Sequence, residues 1–139
     1  RLKQFYSKIF PKADIIKTDS TIAEMVKYLT NSFLAVKVSF ANEIYNICNS
    51  LDIDYDKVIE YALYDERLGQ SHWSVPGPDG HYGFGGSCFP KDINALMHLA
   101  QTLCIKANTI NGAWNTNLMT RPEKDWELLK GRAVVSNDK

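Results

Sequence analysis

Hydrophobic residues recur every three or four positions through the second quarter of the chain. They are Ile22, Met25, Val26, Leu29, Phe33, Val36, Phe40, Ile44, Ile47, Cys48 and Leu51. This spacing lines one side of an α-helix, and Thr21 and Glu24 have the spacing of a capping box at its start. We therefore predict one helix of about 30 residues and roughly 45 Å. That length exceeds what the core of so small a domain needs, so we expect part of the helix to form a homodimer.

Shorter helical patterns follow the long one. They begin at a capping Asp54, near Cys88, at Ile105 and at Thr120, and the last has proline in its first turn and Gly131 as its stop. Strand patterns occur only near the two ends, at residues 13–18 and 132–135. The sequence therefore predicts a mostly α fold, with one long helix and short strands confined to the ends.

Composition and charge narrow the possible functions. The 139 residues are 45% hydrophobic, and 16 basic residues balance 16 acidic ones without forming a block of either sign. This balance argues against nucleic acid or an anionic membrane as a partner. No apolar run approaches the roughly 20 residues that span a bilayer, so a cytoplasmic location is expected. Three widely spaced cysteines favour reduced thiols over disulfides and do not have zinc-ligand spacing, so no metal site is predicted.

The ends of the chain suggest a larger protein. The sequence opens at Arg1 without an initiator methionine and stops at Lys139, shortly after the second strand pattern. We therefore expect a fragment, in which residues 1–19 end a preceding unit, residues 20–119 form the helical domain and residues 120–139 begin a following unit.

The richest chemistry lies in residues 83–92, GFGGSCFPKD. Five of the eight glycines fall between Gly77 and Gly86, just before Cys88. A cysteine in the first helical turn faces unpaired N–H groups, which favour a thiolate, and Lys91 adds positive charge nearby. The alternative is a free cysteine that fills a core position. We favour a nucleophile because a loop so rich in glycine shapes a pocket more readily than a core.

Other polar residues have ordinary structural interpretations when they are taken alone. Lys27 and Asn31 lie one turn apart on the long helix and could bind one oxygen, or simply face solvent. Arg67 could satisfy carbonyls at a helix end. His72 or His81 could form a thiol hydrolase dyad with Cys88, although no orienting carboxylate pattern accompanies them. The glycines fit neither a phosphate loop nor a dinucleotide fingerprint, so a dinucleotide would need another domain.

Four motifs in order carry a family resemblance. They are residues 23–27 (AEMVK) with Asn31, residues 42–43 (NE), residues 65–69 (DERLG) and residues 83–92. Together they resemble the UDP-glucose/GDP-mannose dehydrogenase family over residues 21–118. The resemblance implies a helical central domain that forms the dimer, between an NAD-binding domain ending in residues 1–19 and a nucleotide-sugar-binding domain beginning in residues 120–139.

The resemblance also implies an activity. A nucleotide-sugar alcohol is oxidised to a carboxylate, with two molecules of NAD reduced, and UDP-glucose is the expected substrate. GDP-mannose, a UDP-N-acetyl sugar, or a purely structural dimerisation role are the alternatives. NAD would be bound mainly by a domain outside this chain, so the chain alone is expected to be inactive.

The residue roles that the resemblance implies centre on the cysteine loop. Cys88 matches the nucleophile, Lys27 and Asn31 match the pair that holds the reacting oxygen, and Asp92 matches the carboxylate that orients water. The remaining roles are a cofactor contact for Lys91, substrate contacts for Phe84 and Gly85, and an arginine reaching the partner's site for Arg67. Residues 76–82 lengthen the loop before Cys88 relative to better-known members, which leaves the roles of His72 to His81 open.

Overall fold

The computed structural model describes residues 1–129 and residue 131, and it is mostly helical. Its five α-helices are α1 (Leu2–Ile9), α2 (Ser20–Ser50), α3 (Tyr55–Ala62), α4 (Cys88–Thr102) and α5 (Asn108–Thr120). Two short 3-10 helices span Glu66–Leu68 and Asp125–Leu128. No strand occurs in the described part of the chain. The predicted fold class is therefore confirmed.

The long helix forms as predicted, with 31 residues, but it begins differently. Asp19 is its cap, because its carboxylate accepts a hydrogen bond of 2.9 Å from the N–H of Ile22. Thr21 lies inside the first turn, so the predicted capping box is wrong. Asp19 directly precedes Ser20, and its extended backbone lets its short side chain reach the free N–H of Ile22 in the first turn.

The strand expected at residues 13–18 is not formed. Residues 14–19 have no regular structure, since a strand needs a partner to pair its backbone groups and the described residues offer none. The other expected strand, at residues 132–135, lies outside the described residues. The last helical pattern becomes a turn at Pro122 followed by the 3-10 helix at Asp125–Leu128.

The remaining helices follow the sequence closely. Asp54 caps α3 by accepting from the N–H of Lys57, as expected. Helix α4 begins at Cys88, and Pro90 is tolerated there because the first turn has no use for its missing N–H. Helix α5 begins at Asn108, later than the predicted Ile105.

Helices α4 and α5 both pack against α2, and α3 packs near its C-terminal end. The side of α2 that they cover carries mainly small and polar residues, which we call the small-residue face: Ser32, Ala35, Ser39 and Asn42. Most of the large hydrophobic residues of α2 are exposed instead, and we call them the apolar face: Ile22, Val26, Leu29, Phe33, Phe40 and Ile47. Small side chains let the neighbouring helices approach closely, which decides the side that is buried.

Two hydrophobic clusters form the core. The first joins α2, the glycine loop, α4 and α5 through Ala35, Phe84, Ile93 and Ala113. The second lies under α3 and the loop that follows it, and contains Ala41, Cys48, Tyr55 and Val75. The first cluster lies directly below residues 83–92 and therefore fixes the position of that loop.

Helix α1 has no buried residue, although Leu2, Phe5 and Ile9 give it an apolar side. Within residues 1–129 and residue 131, no helix combines the length and apolar character that a membrane span requires.

Candidate active site

Cys88 is the first residue of α4, and its side chain is exposed. Ser87 precedes the helix without capping it, so the first-turn N–H groups are not satisfied by that side chain. The hydroxyl of Ser87 lies 3.9 Å from the sulfur, and it is the only hydrogen-bond partner of the thiol among the described residues. The sulfur is therefore accessible at a helix N-terminus and is not sealed in the core.

Asp92 lies one turn after Cys88 and gathers the other polar groups of this site. Its side chain is completely buried. Asn31 donates a hydrogen bond of 2.5 Å to Oδ2, and the ammonium of Lys27 lies 3.9 Å from the same oxygen. The ammonium of Lys91 donates to Oδ1. One carboxylate thus brings Lys27 and Asn31 of α2 to the first turns of α4.

These contacts shift the protonation equilibria of the site. Burial would raise the pKa of Asp92, but hydrogen bonds from Lys91 and Asn31 and the charges of Lys91 and Lys27 outweigh it and lower the pKa. The hydrogen bond to Asp92 and the charge of its carboxylate raise the pKa of Lys91 against the opposing effect of burial. The site therefore holds an ionised carboxylate beside an ammonium near the thiol.

The glycine loop before Cys88 is held by side chains from two helices and the segment after them. Asn42 accepts from the N–H of Gly83 at 3.2 Å. Asn117 binds both backbone groups of Phe84: its side-chain oxygen accepts from the N–H at 2.7 Å, and its side-chain nitrogen donates to the C=O at 2.9 Å. Asp125 accepts from the N–H of Gly86 at 2.9 Å. Such buried contacts fix the loop in one conformation because breaking them would leave polar groups unpaired.

Two of the glycines are required by this geometry. A Cβ on Gly85 would lie 2.3 Å from an oxygen of Asp125 and 2.4 Å from Arg121, so a side chain does not fit there. Gly86 has a φ of +67°, in the left-handed region that a residue with a side chain adopts at a cost. The loop therefore lies directly on Arg121 and Asp125.

Phe84 and Gly85 border a cleft of ≈ 370 Å³. His72, Asp79 and Phe89 line other parts of it. The ring of Phe84 belongs to the first core cluster, so this residue anchors the loop. Gly85 presents bare backbone to the cleft.

Arg67 is not part of this cluster of groups. Its side chain is 88% exposed, and its hydrogen bonds within the described part of the chain all go to Asp65. The turn that carries it is fixed by the buried Lys37, which donates to the carbonyls of Leu68 and Gly69. Arg67 therefore projects from a well-held turn into solvent.

The two histidines of the lengthened loop do not pair with Cys88. His72 stacks on Phe89 with ring centroids 5.6 Å apart, and His81 lies 3.0 Å from a carboxylate oxygen of Glu123. Neither makes a hydrogen bond to the sulfur within the described residues, so the geometry of a hydrolase dyad is missing from them.

Sequence reasoning missed three residues of the site. Asn117, Arg121 and Asp125 hold the glycine loop from the far end of α5 and the segment after it. Periodicity carries no signal for them, because each is a single polar residue in an otherwise ordinary stretch. The only available hint was the number of polar residues near the end of α5.

Comparison with known proteins matches this chain to a family. Residues 21–118 match the model of the UDP-glucose/GDP-mannose dehydrogenase family, central domain. The UDP-glucose 6-dehydrogenase TuaD of Bacillus subtilis is 41% identical over 128 residues, which is 88% of this chain and 27% of that protein. A GDP-mannose 6-dehydrogenase of Pseudomonas savastanoi pv. phaseolicola is 38% identical, over 84% of this chain and 25% of its own length.

A third relative extends the comparison. The UDP-glucose 6-dehydrogenase AglM of Haloferax volcanii is 36% identical over 85% of this chain and 26% of its own length. The chain thus spans about a quarter of the length of the curated relatives that it matches. The residues that the family model matches include all of α3 and α4, all but the first residue of α2, and most of α5. The chain therefore belongs to the UDP-glucose/GDP-mannose dehydrogenase family, as its motifs predicted.

Proposed function

We propose that this chain is the cysteine-bearing part of an NAD-dependent 6-dehydrogenase that oxidises UDP-glucose to UDP-glucuronate. One observation carries the proposal: an exposed thiol at the start of α4 lies one turn from a buried carboxylate that gathers Lys27, Asn31 and Lys91. TuaD, at 41% identity, and a second UDP-glucose 6-dehydrogenase of Bacillus subtilis, YwqF, at 40%, are slightly more similar to this chain than the GDP-mannose 6-dehydrogenase at 38%, which supports UDP-glucose as the substrate.

Cys88 is the proposed nucleophile. Its thiolate adds to the C6 aldehyde, and the resulting thiohemiacetal is oxidised to a thioester. Water then attacks the thioester carbonyl, which releases the carboxylic acid and returns the thiol. The first-turn N–H groups of α4 stabilise the thiolate that starts this sequence.

Lys27 and Asn31 are the proposed donors to the reacting oxygen. Both already converge on Asp92: a hydrogen bond fixes Asn31 before substrate binds, and the ammonium of Lys27 lies 3.9 Å from the same carboxylate. Fixed donors stabilise negative charge on an alkoxide or a tetrahedral oxyanion without reorganising during the reaction. The charge on Lys27, whose side chain is mostly exposed, suits this task best.

Asp92 is the proposed group that orients the hydrolytic water. Because its pKa is lowered, the carboxylate is ionised at neutral pH and accepts hydrogen bonds. A carboxylate of low pKa is a weak base, so it aligns water and assists the proton transfer rather than removing the proton outright.

When bound, NAD would supply the chemistry of both oxidations as the hydride acceptor. Of the described residues, Lys91 fits a contact to it, since its ammonium is partly exposed beside the first turn of α4. We assign most of the cofactor binding to a preceding domain that ends in residues 1–19, and nucleotide binding to a following one that begins in residues 120–139.

Substrate binding is assigned to the loop and to a second subunit. Gly85 offers its backbone to the sugar, and Phe84 holds that backbone in place from the core. Arg67 resembles the family's arginine that reaches across the dimer interface, so we assign it to the site of the partner subunit, and its exposure on a well-held turn supports this role.

Replacement of the sulfur tests the nucleophile. In the intact protein that contains this chain, Cys88→Ser should reduce UDP-glucuronate formation by at least about 10³-fold, since serine is not activated at a helix N-terminus as a thiolate is. The assay follows NADH and acid with UDP-glucose, GDP-mannose and a UDP-N-acetyl sugar. Cys104→Ser is the matched control, because Cys104 is also free and exposed. Full activity of Cys88→Ser would remove the assignment.

A second role, dimerisation, is favoured by the apolar face of α2. Its large side chains include Phe33 at 64% and Leu29 at 62% exposure, which is unusual for a surface that faces only water. We propose that this face forms a homodimer and that the chain also serves as an assembly module. Sedimentation of the protein would contradict this role if it showed monomers at high concentration.

A further inference from the structure

Arg121 is a buried cation that joins three segments of the chain. It follows α5 directly, and only 3% of the residue is exposed. Its Nε donates to Asp125 at 2.7 Å, and its Nη1 donates to Asp79 at 2.8 Å. Burial would lower the pKa of Arg121, but the hydrogen bonds to Asp79 and Asp125 raise it. The guanidinium is therefore charged and hydrogen-bonded to two carboxylates, and a third, that of Glu123, lies 3.9 Å from Nε.

One of these carboxylates leads to the cysteine loop. Asp125 holds Arg121 with Oδ1 and the N–H of Gly86 with Oδ2, so it links the guanidinium to a backbone group two residues before Cys88. If Gly85 carried a Cβ, that atom would lie 2.4 Å from the guanidinium carbon of Arg121. Arg121 thus supports the loop from directly beneath.

The other carboxylate leads to the lengthened loop. Asp79 binds Arg121 with Oδ2, and its Oδ1 accepts from the N–H of His81 at 3.1 Å. This loop closes on itself through a bond of 2.8 Å from the N–H of Gly77 to the carbonyl of His81. Asp79 and Gly77 line the same cleft as Gly85. Arg121 therefore connects the two walls of the cleft.

Resting on the proposed function, we propose that Arg121 is a positioning residue that fixes the cysteine loop and the wall formed by residues 76–82 relative to each other. Gly85 lines the cleft and Cys88 follows three residues later, so the cleft wall and the sulfur then keep one relative geometry. The two arms have separate effects: Asp125 sets the position of the thiol, and Asp79 sets the wall that contacts the substrate.

An arginine suits this role because its planar group binds two carboxylates in different directions. A lysine has a single ammonium and keeps the charge, yet it cannot maintain both contacts at this reach. Arg121→Lys therefore separates position from charge. Asp79→Asn and Asp125→Asn each weaken one arm and keep the volume of the side chain.

The first measurement follows the thiol without requiring turnover. In the intact protein, iodoacetamide modifies Cys88 and Cys104, and mass spectrometry gives the rate at each; Cys104 is the internal reference. Arg121→Lys and Asp125→Asn should lower the Cys88 rate relative to Cys104 by about fivefold, because a displaced first turn stabilises the thiolate less well. Asp79→Asn should leave the ratio unchanged.

The second measurement divides the kinetic effects. Arg121→Lys and Asp125→Asn should lower kcat by about 10- to 100-fold, since a displacement of the order of 1 Å has that effect. Asp79→Asn should raise KM by about tenfold with kcat nearly unchanged, because it disturbs binding more than chemistry. Glu127→Gln is the control, as it removes an exposed carboxylate from the same 3-10 helix as Asp125.

A purely structural role would give a different result. If Arg121→Lys lowered the free energy of unfolding but left the alkylation ratio and both kinetic constants unchanged, the proposal would be overturned. Asp125→Asn provides the same comparison if Arg121→Lys does not fold. Failure of the proposed function is recognised separately, because active Cys88→Ser protein would refute the nucleophile while the alkylation ratio still reports on Arg121.

Discussion

The two faces of α2 differ in what covers them. The small-residue face contacts α4, α5 and the glycine loop, and two of its polar residues have partners there: Ser39 donates to the carbonyl of Ala113 at 2.7 Å, and Asn42 accepts from Gly83. The apolar face carries larger side chains, including Phe33 and Phe40, that are half or more exposed. The face with less hydrophobic area is the one that the chain buries.

This difference separates two tasks of one helix. Close packing on the small-residue face sets the distance between α2 and α4, which brings Asn31 to Asp92. The apolar face contributes nothing to that distance and leaves hydrophobic area for another surface. The comparison therefore assigns site geometry to one face and assembly to the other, and substitutions on each face test it.

The largest effect is expected from overfilling the small-residue face. Ala35 is completely buried in the first core cluster beside Phe84 and Ile93. Ala35→Leu should lower the free energy of unfolding by about 2–3 kcal/mol, because the extra carbons force α4 or the glycine loop outward. Urea denaturation followed by circular dichroism measures this.

The matched control is Ala23→Leu, which places the same side chain at an exposed position of the same helix. It should change the free energy of unfolding by less than about 0.5 kcal/mol. Equal effects of the two substitutions would mean that the small-residue face is not a close contact.

A slightly smaller effect is expected from removing a polar anchor of this face. Asn42→Leu keeps the number and branching of the side-chain heavy atoms but leaves the buried N–H of Gly83 without its acceptor, which should cost about 2 kcal/mol. Asn46→Leu, one turn along and exposed, should be nearly neutral. Thermal unfolding of both variants gives the difference, and a neutral Asn42→Leu would show that water replaces the anchor.

Local features of the fold were predictable from the sequence. The length of α2 follows from its hydrophobic spacing, and the start of α4 at Cys88 follows from glycines before it and a proline in its first turn. The side of α2 that is buried could not be predicted in this way, because an apolar stripe indicates a helix face but not whether that face packs within the chain or against another surface. The stripe of Ser32, Ala35, Ser39 and Asn42 was visible at helical spacing and gave the better signal.

The polar site was only partly predictable. Four site residues were found through their motifs: Lys27, Asn31, Cys88 and Asp92. In the folded chain, Lys27 and Asn31 converge on Asp92. The hydrogen bonds that hold the glycine loop and the lengthened loop join residues 33 to 42 positions apart in the sequence. They are made by Asn42, Asn117 and Arg121. Single polar residues so distant in sequence have no periodic pattern, so only the folded chain shows their pairing.

On the apolar face, a polar substitution should affect assembly and leave folding nearly unchanged. Burial of a phenylalanine side chain is worth about 1.5–3 kcal/mol, so Phe33→Gln should raise the dimer dissociation constant at least about tenfold. Analytical ultracentrifugation across a concentration series measures the constant.

Glu24→Gln is the control for this prediction, because Glu24 lies on the opposite side of α2, nine positions and half a turn of angle away. It should leave the dissociation constant unchanged. A Phe33→Gln protein with unchanged association would show that this face does not form the dimer.

The smallest effect concerns acid pH and compares a buried carboxylate with an exposed one. The folded-state pKa of Asp92 is lowered, so its ionised form stabilises the protein above the ordinary pKa of an aspartate, about 3.9, and this contribution is lost as pH falls below that value. The difference in free energy of unfolding between the wild type and Asp92→Asn should therefore shrink as pH falls below about 4.

Asp65→Asn distinguishes burial from pairing alone. The pKa of Asp65 is also lowered, by its hydrogen bond to Arg67, but this pair is exposed and solvent screens it. Its pH-dependent difference from the wild type should be much smaller than that of Asp92→Asn. If the free energy of unfolding depended on pH in the same way in both variants, Asp92 would be solvated in solution. The hydrogen bond from Asn31 of α2 to Asp92 of α4 would then be weaker than the geometry indicates.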